Sequence, residues 1–432
     1  MDITSAESST ANAVDGIMRI WLITVGEPLP TDGDNVHLVR TGILAGLLEA
    51  AGHHVVWWSS SFNHTAKVQR CRRDTTLKLS PKFELKLLHA AGYAQNVSLR
   101  RILHHRRIAR KFAAAAIQEE PPNVILCSFP TIELSKAATD YGKSRGVPVV
   151  VDVRDLWPDA LVGLFPRVTQ PLAKVLLGRM FRAARTALQQ SDAIIGVSAG
   201  YLEWGLRFAG RDRHGFDRVF PLGYQPAPVA DEEMRVAEIK LRACGVDPSK
   251  VICWFAGVFG RTYDLATVID AARELPADLR GRVQFVLCGD GEYRDRWMAR
   301  SSGLDSVVFP GWIGASELAY LMKVASIGIA AYAPGAPQGL PNKLFEYMSA
   351  GLPVLSSLRG EAEALLRQHG CGLSYQAGDR RSFLDALCTL LDQRERRAQM
   401  GRNGRRLFDE QFSTDRVYAG LGDYLLEIAR AV

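Results

Sequence analysis

Residues 338–357 read QGLPNKLFEYMSAGLPVLSS, and this stretch decides the fold of the second half of the chain. It predicts a loop followed by a short helix with Pro341 in its first turn. Proline is tolerated there because the N–H groups of a first turn have no partner within the helix, so the missing N–H costs nothing. Gly351 and Pro353 predict the end of that helix, since a left-handed glycine caps a helix and proline cannot continue it. A buried strand follows.

The same helix gathers groups that suit a phosphorylated ligand. Lys343 and Glu346 are three residues apart, so they share one helix face. The backbone N–H groups of Gly339 and Leu340 lie at the positive end of the helix. A cation, a carboxylate and an anion-binding backbone therefore meet, as a nucleoside diphosphate with its ribose requires.

Outward from this stretch, strands alternate with helical patterns in both halves of the chain, which is typical of doubly wound parallel sheets. Near-continuous apolar runs indicate strands that are buried on both faces. The predicted strands are 18–25, 54–60, 123–129, 147–155 and 192–198 in the first half and 251–258, 283–291, 307–313, 327–332 and 353–357 in the second. We expect a disordered leader at 1–17, a first domain at 18–222, a second at 223–410, and a terminal helix at 411–432 that packs back on the first domain.

Composition favours a globular protein of two domains. The chain has 432 residues, of which 47% are hydrophobic and 23% charged. No uncharged apolar run reaches the ~20 residues that span a bilayer. The seven cysteines are an odd number without a CxxC pair, which predicts reduced, mostly buried thiols, a cytoplasmic location and no structural zinc.

Positive charge is concentrated between Lys67 and Lys111. Thirteen Lys and Arg stand there against two acids, an excess of +11, whereas the whole chain carries +7. Such an excess indicates an anionic partner, either membrane phospholipid, a pyrophosphate-linked acceptor or nucleic acid. The alternative is a core-packing helix with a solvated basic face at 98–116. Nucleic acid is disfavoured because aromatic residues are not interleaved with the cations.

Five motifs resemble glycosyltransferase family 4 of the bacterial surface-polysaccharide type. They are PNKLFEYMSAGLPV (341–354), FAGVFGRTYDLATVIDAA (255–272), LCGDGEYRDRW (287–297), VVVDVRDLWPDAL (149–161) and EPLPTDGDNVHLVRTGILAGLL (27–48). The resemblance implies the α/β GT-B fold, in which two doubly wound Rossmann-like domains face each other across a cleft. It also implies a retaining, metal-independent transferase.

The resemblance assigns donor-binding roles in the second domain. Glu346 matches the carboxylate that binds the ribose, whereas Gln338 stands where the family has another carboxylate. Lys343 and Arg261 would neutralise the diphosphate. The remaining donor-side candidates are Gly257, Gly260, Trp312, Ile313, Gly339 and Leu340. The alternatives are that the charged side chains are ordinary solvent-exposed residues of a helix surface, that Gln338 is a polar loop residue without a ligand, and that Trp312 and Ile313 pack in the core.

Acceptor-side candidates follow from the first domain. Asp155, or else Asp152, would orient the acceptor as the catalytic carboxylate, and Arg154 would contact phosphate or acceptor. The other acceptor-side candidates are Gly33, Asn35 and His64. The alternatives are a capped turn for Asp155, turn formation for Gly33 and Asn35, and a structural role for His64. The DGD pattern at 32–34 resembles a metal motif, but its place after the first strand favours a turn.

The resemblance implies that a sugar passes from a nucleoside diphosphate sugar to a glycan acceptor, expected to be lipid-linked. No metal or other cofactor is expected. Residues 67–111 would bind an anionic membrane surface, which implies a peripheral location on the inner face of the plasma membrane and no nucleic acid partner. Two alternatives remain open: a nucleotide-sugar 2-epimerase of the same fold, and a catalytically inactive nucleotide-binding scaffold at the membrane.

Overall fold

A computed structural model describes residues 16–33, 36–336 and 339–431. The chain forms two compact units. The first comprises the described residues of 16–195, 205–217 and 421–431, and the second those of 196–204 and 218–420. The predicted boundaries at 222/223 and 410/411 stay predictions, and the predicted leader lies almost wholly outside the described residues.

The first unit is built on a twisted α/β sheet. Its strands are β1 Arg19–Ile23, β2 His54–Ser60, β3 Phe62–Asn63, β4 Val68–Gln69, β5 Thr75–Ser80, β6 Phe83–Leu88, β7 Val124–Phe129, β8 Val149–Val153 and β9 Ala193–Gly196. In the sheet they follow the order β9-β8-β7-β1-β2-β6-β5, and β3 and β4 form a separate ribbon. The pairs from β8 to β6 are parallel, whereas β5 joins β6 in an antiparallel hairpin.

Helices connect these strands. They are α1 Arg40–Ala50, α2 Leu99–Ala116, α3 Ile132–Arg145, α4 Asp159–Val162, α5 Gln170–Leu176, α6 Gly178–Gln190 and α7 Ala199–Ala209, with a 3₁₀ turn at Arg167–Thr169. The basic helix α2 packs inward through Phe112, whose ring centroid is 5.1 Å from that of Trp58 on β2. Three arginines of this helix, Arg100, Arg107 and Arg110, are exposed.

The second unit carries a fully parallel sheet. After β10 Arg218–Val219, its strands are β11 Val251–Ala256, β12 Val283–Cys288, β13 Val307–Gly311, β14 Ile327–Ala330, β15 Val354–Ser356 and β16 Gly372–Ser374. They lie in the order β13-β12-β11-β14-β15-β16, and each neighbouring pair is parallel. The helices of this part of the chain are α8 Asp231–Ala243, α9 Leu265–Arg273, α10 Ala277–Arg280, α11 Arg294–Arg300, α12 Ala315–Val324, α13 Asn342–Ser349, α14 Glu361–His369, α15 Arg380–Asp392, α16 Arg394–Gln411 and α17 Thr414–Ala431.

Helix α13 is fixed by close packing against the sheet. The ring of Tyr347 covers Gly328, where an added Cβ would lie 2.2 Å from the ring, and its hydroxyl donates to the Ile329 carbonyl at 2.9 Å. On the other side, Phe345 stacks on Phe412 with ring centroids 4.5 Å apart. A larger residue at 328 would push the helix off the sheet, so this contact determines where the side chains of α13 lie.

The sequence prediction of the fold class, α/β with two parallel sheets, is confirmed, and every predicted strand has a counterpart. The β5–β6 hairpin and β16 were not predicted. The outer strand β5 alternates polar and apolar residues at the sheet edge, so it lacks the continuous apolar run of a buried strand. All seven cysteines are free thiols, four of them buried. Within the described residues, no helix is long and apolar enough to cross a membrane.

Candidate functional site

Lys343 is a buried cation at the carboxyl end of the second sheet. It lies in the first turn of α13, and its Nζ donates to the carbonyl of Ala256, the last residue of β11. The ammonium also lies 4.5 Å from the ring centroid of Phe255. Burial lowers the pKa of Lys343, and the Glu346 carboxylate partly offsets this effect. Among the described residues it forms no salt bridge, so a buried positive charge faces the loop after β11.

Glycines bring three loops together around this point. The Gly257 N–H donates to the Cys288 carbonyl, and the Gly289 N–H donates to the Gly311 carbonyl at 2.8 Å. A Cβ at Gly289 would lie 1.9 Å from the Gly257 carbonyl oxygen, and φ there is +149°. Only glycine allows this approach. The loops after β11, β12 and β13 therefore form one continuous edge, and Gly257 itself lies beside the Lys343 ammonium.

Arg261 extends from the first of these loops. Its guanidinium is largely exposed and lies 3.6 Å from the Glu292 carboxylate in the loop after β12. Gly260, one residue earlier, has open space where a Cβ would stand. No contact joins Arg261 to Lys343, so the two predicted cations share the loop edge without touching.

Glu346 lies half-buried one turn after Lys343, among tyrosine rings. Burial raises the pKa of four tyrosines, and the nearby Glu346 carboxylate raises each of them further: Tyr224, Tyr263, Tyr332 and Tyr347. The rings of Tyr263 and Tyr332 are 5.0 Å apart between centroids. The Tyr347 and Tyr224 hydroxyls donate to the Ile329 carbonyl and to the Met322 sulfur, so these two phenols influence the Glu346 carboxylate through its charge.

Gly339 and Leu340 precede α13, as the sequence predicted. A Cβ on Gly339 would lie 3.0 Å from a carboxylate oxygen of Glu361 and 3.1 Å from the hydroxyl of Ser198. Glu361 accepts from the Ala199 N–H at 3.0 Å. The Ser198 hydroxyl is buried and has no hydrogen-bond partner in the described residues. Gln338, the residue predicted beside Gly339, lies outside the described residues.

Trp312 and Ile313 follow Gly311 directly on the third loop of the edge. Trp312 is 66% exposed. Ile313 instead packs against the core cluster of the second unit. Of the two predicted base contacts, Trp312 therefore offers its ring to solvent, whereas Ile313 supports the core.

In the first unit, Asp152 and Arg154 belong to a buried charge network. Asp152 is fully buried and accepts from Arg40 through two hydrogen bonds of 2.8 and 3.1 Å. Arg154 donates to Asp152 at 2.6 Å, to Glu27 and to Thr41 at 3.2 Å. Its two neighbouring carboxylates raise the pKa of Arg154, against the effect of burial. The network ties the loop after β1 to the end of β8, and it occupies the polar atoms of both residues.

Asp155 lies outside that network, near a second group of polar side chains. Burial raises its pKa, and the nearby Arg101 guanidinium opposes that shift. Arg101 lies 4.5 Å from the ring centroid of Trp157 and 5.9 Å from that of Tyr93. Its Nε atom is buried and has no partner in the described residues. Asp155 is half-buried and accepts a hydrogen bond from the Leu156 N–H at 2.8 Å, which also opposes the rise of its pKa.

His64 joins the same group from the turn between β3 and β4. Its Nδ1 lies 2.8 Å from the Tyr93 hydroxyl and 3.5 Å from Lys67 Nζ. Burial, together with the charges of Lys67 and Arg101, lowers the pKa of His64 to about 4. The imidazole is thus neutral near pH 7. His64, Lys67 and Arg101 therefore lie around the Tyr93 ring. This arrangement suits an anionic or hydroxyl-rich ligand.

The first loop places Gly33 at the surface, with open space around it, while Asn35 lies outside the described residues. Asp32 accepts from Arg70 at 2.5 Å and from the Leu29 N–H, so it holds the loop. Within the described chain, no three His, Cys, Asp or Glu residues are placed to hold a metal ion. The expectation of a metal-independent reaction stays a prediction.

Sequence reasoning missed the tyrosines around Glu346 and the Arg101–Tyr93 pair. Tyr224 and Tyr332 lie more than a hundred residues apart and meet only through the fold. Arg101 was counted with the basic surface of α2, although it is partly buried against the rings of Trp157 and Tyr93.

Comparisons with known proteins agree with this geometry. Residues 250–393 match the family described as glycosyl transferases group 1. The GDP-mannose-dependent alpha-(1-6)-phosphatidylinositol monomannoside mannosyltransferase of Mycobacterium tuberculosis (strain ATCC 25618 / H37Rv) is 28% identical over 209 residues, which are 47% of this chain and 52% of that protein. The chain spans about half the length of the curated relatives it matches.

Solved structures share the fold over nearly the whole chain. Sucrose-phosphate synthase from Thermosynechococcus elongatus superposes with a TM-score of 0.69 at 19% identity, covering 96% of this chain and 100% of that one. Anabaena HepE in complex with UDP gives 0.64 at 13% identity, covering 95% and 100%. These likenesses show the GT-B fold. Together with the family match over residues 250–393, they agree with the resemblance seen in the sequence.

Proposed function

We propose that the protein is a retaining glycosyltransferase that moves a sugar from a nucleoside diphosphate sugar to a glycan acceptor, expected to be lipid-linked. The single observation that carries this proposal is the buried Lys343 ammonium, which has no acidic partner in its contacts and faces the glycine-built edge of the second sheet. Ligands of open α/β sheets bind at the carboxyl ends of the strands. A buried cation at that edge favours a ligand that brings negative charge.

The chemistry follows from where charge develops. Cleavage of a glycosyl–phosphate bond places negative charge on the departing diphosphate and positive charge on the anomeric carbon. Cationic groups fixed in advance at the diphosphate are usually the largest catalytic contribution. Lys343 is held by its carbonyl partner and by packing, so it needs little reorganisation. Arg261 is exposed, and Glu292 is its one salt-bridge partner in the described residues, so it can turn to the phosphates when the donor binds.

The rest of the donor is assigned to neighbouring groups. Glu346 would accept hydrogen bonds from the ribose hydroxyls, since it is half-buried among phenols and carries no salt bridge in the described residues. The backbone of Gly339 and Leu340 would approach phosphate at the start of α13. Trp312 would stack on the base, whereas Ile313 supports the core behind it.

On the acceptor side we keep Asp155 as the carboxylate that orients the attacking hydroxyl. It forms no salt bridge in the described residues, unlike Asp152, and it is half-buried. His64 would hold the acceptor as a neutral imidazole. Arg154 and Asp152 are assigned to support of the fold, because their polar atoms are occupied by each other, Arg40 and Glu27.

Retention of configuration is proposed through front-side attack. A double displacement needs an enzyme nucleophile below the anomeric carbon. Neither the side chains around Lys343 nor those around Asp155 offer one. The leaving phosphate oxygen would take the proton of the acceptor hydroxyl. No metal is assigned a role. The anomeric configuration of the product, followed by NMR during turnover, tests this step.

The setting is proposed to be polysaccharide assembly on the cytoplasmic face of a membrane, with residues 67–111 against anionic lipid. Three arginines of α2 form no salt bridge in the described residues and line a surface cavity of about 760 Å³: Arg100, Arg107 and Arg110. That arrangement supports contact with phosphate groups. The mannosyltransferase relative acts, by its name, on a phosphatidylinositol-linked acceptor, which supports a lipid-linked acceptor here.

The test is a thermal-shift screen of nucleoside diphosphates and their sugars, followed by product analysis with donor alone. A donor at 100 times its Kd stabilises the native protein by about 2.7 kcal/mol. We expect stabilisation by one base class and slow release of free sugar. A C2-epimerised product would instead support the epimerase, and binding without any hydrolysis or transfer would support the inactive scaffold.

A further inference from the structure

A short surface segment of the first unit, residues 164–176, exposes a concentration of large apolar side chains. The exposed fractions run from 46% to 88%: Leu164, Phe165, Val168, Leu172, Val175 and Leu176. The segment consists of a 3₁₀ turn and helix α5, and Ala173 is the residue that points inward. Monomeric soluble proteins rarely expose contiguous apolar surface on this scale without an interaction that uses it.

The charged residues within the segment and in the chain directly after it all have one sign. Between Asp159 and Asp192 the sequence contains five Lys or Arg and no acid: Arg167, Lys174, Arg179, Arg182 and Arg185. All five are exposed, and within the described residues none of them forms a salt bridge. An apolar surface surrounded by unpaired cations matches the two components of an anionic bilayer interface, acyl chains below and phosphates above.

The beginning of helix α2 also exposes apolar side chains. Arg101 lies 4.5 Å from the ring of Trp157, just before the chain leads through α4 into the 164–176 segment. On the same helix, Leu99 and Leu103 are 79% and 60% exposed. Further along α2, the unpaired arginines line the 760 Å³ cavity.

A second copy of the chain is a poor occupant for this surface. Two copies joined through it would bring five unpaired cations on each side together with no acid to compensate them, and like charges in contact oppose association. An anionic lipid surface satisfies the same charges and also takes up the apolar side chains. We infer that the 164–176 segment inserts into the interface of an anionic membrane, with the cations at 167–185 on lipid phosphates.

The inference does not depend on the donor site, and it is tested by co-sedimentation of the full chain with phosphatidylglycerol or phosphatidylcholine vesicles. The triple variant Val168→Ser/Leu172→Ser/Leu176→Ser changes only exposed positions. The matched control Val236→Ser/Ile239→Ser removes two apolar side chains of similar exposure from α8 in the second unit. Thermal unfolding of each variant shows that it is folded.

We expect the triple variant to bind phosphatidylglycerol vesicles ~10-fold or more weakly, because it loses apolar insertion, while the α8 control binds like the parent. Arg167→Gln/Lys174→Gln should lose about five-fold per charge at low salt. Unchanged binding of the folded triple variant overturns the inference, as does equal binding to both lipids. A parent dimer that the triple variant converts to monomer would also overturn it, in favour of self-association.

Discussion

Replacement of Lys343 by methionine separates the catalytic contribution of its charge from its packing. Methionine keeps an unbranched stem of similar length, so contacts with Phe255 and Tyr263 are retained. The change removes the ammonium and leaves the Ala256 carbonyl without its partner. An unpaired buried acceptor costs about 1–3 kcal/mol, but removal of a buried charge offsets that cost.

The expected effect on stability is therefore small. A net change within about 2 kcal/mol corresponds to a Tm shift of at most ~4–8 °C in a unit of this size. The effect on turnover should be large, because removing one preorganised donor to a developing anion costs about 3–4 kcal/mol. We expect kcat for transfer, or for hydrolysis of donor alone, to fall by ~10²–10³-fold.

The pH dependence provides a second measurement on the parent protein. Burial places the pKa of folded Lys343 below its ordinary value of 10.5. Turnover should therefore fall on the alkaline side as the pH rises through this lowered pKa. Stability changes in the opposite sense. Between the pKa of folded Lys343 and 10.5, the unfolded chain binds more protons than the folded protein does. The free energy of unfolding therefore rises with pH in this window.

The assay is initial-rate kinetics on donor hydrolysis with the nucleoside diphosphate found by thermal shift. Lys323→Met, which removes an exposed lysine of α12, is the matched control for loss of a lysine in the same unit. If folded Lys343→Met turns the donor over within a few-fold of the parent, the buried cation is not part of the mechanism, and the reasoning from charge at the sheet edge fails.

Three further changes test the surrounding structure. Gly289→Ala should lower the Tm and abolish nucleotide-induced stabilisation, because its Cβ meets the Gly257 carbonyl at 1.9 Å, whereas Gly281→Ala, in open space, should do neither. Asp152→Asn should cost about 3–5 kcal/mol in urea unfolding, because two buried guanidinium groups lose a charged partner. Burial lowers the pKa of His105 to about 3, so the unfolded chain binds an extra proton below pH ~6.5. The Tm should fall as the pH drops from 7 to 4, less steeply in His105→Leu.

Local sequence predicted the parts of the site that lie on one element. Lys343 and Glu346 share a helix face by spacing alone, and Gly257 follows a strand whose apolar run was evident. The environment of those side chains depends on long-range contacts. Glu346 meets Tyr224 only after the second sheet has formed, and the pattern of one sequence does not specify which distant phenol approaches a carboxylate.

The same limit applies to the first unit. Asp152 and Arg154 resemble ligand-binding residues at a strand end, because the sequence does not show that Arg40, 112 residues earlier, occupies the carboxylate. The β5–β6 hairpin was missed for another reason. An edge strand exposes alternate side chains to water, so its composition is that of a loop, and only its pairing with β6 identifies it.

The position of Trp312 has a practical consequence. The other seven tryptophans of the chain are buried, so a water-soluble quencher such as iodide would reach mainly this one indole. A nucleobase stacked on it would shield the ring, and the loss of quenching would report occupancy of the nucleotide site. The unlabelled protein thus carries its own optical reporter for ligand titration.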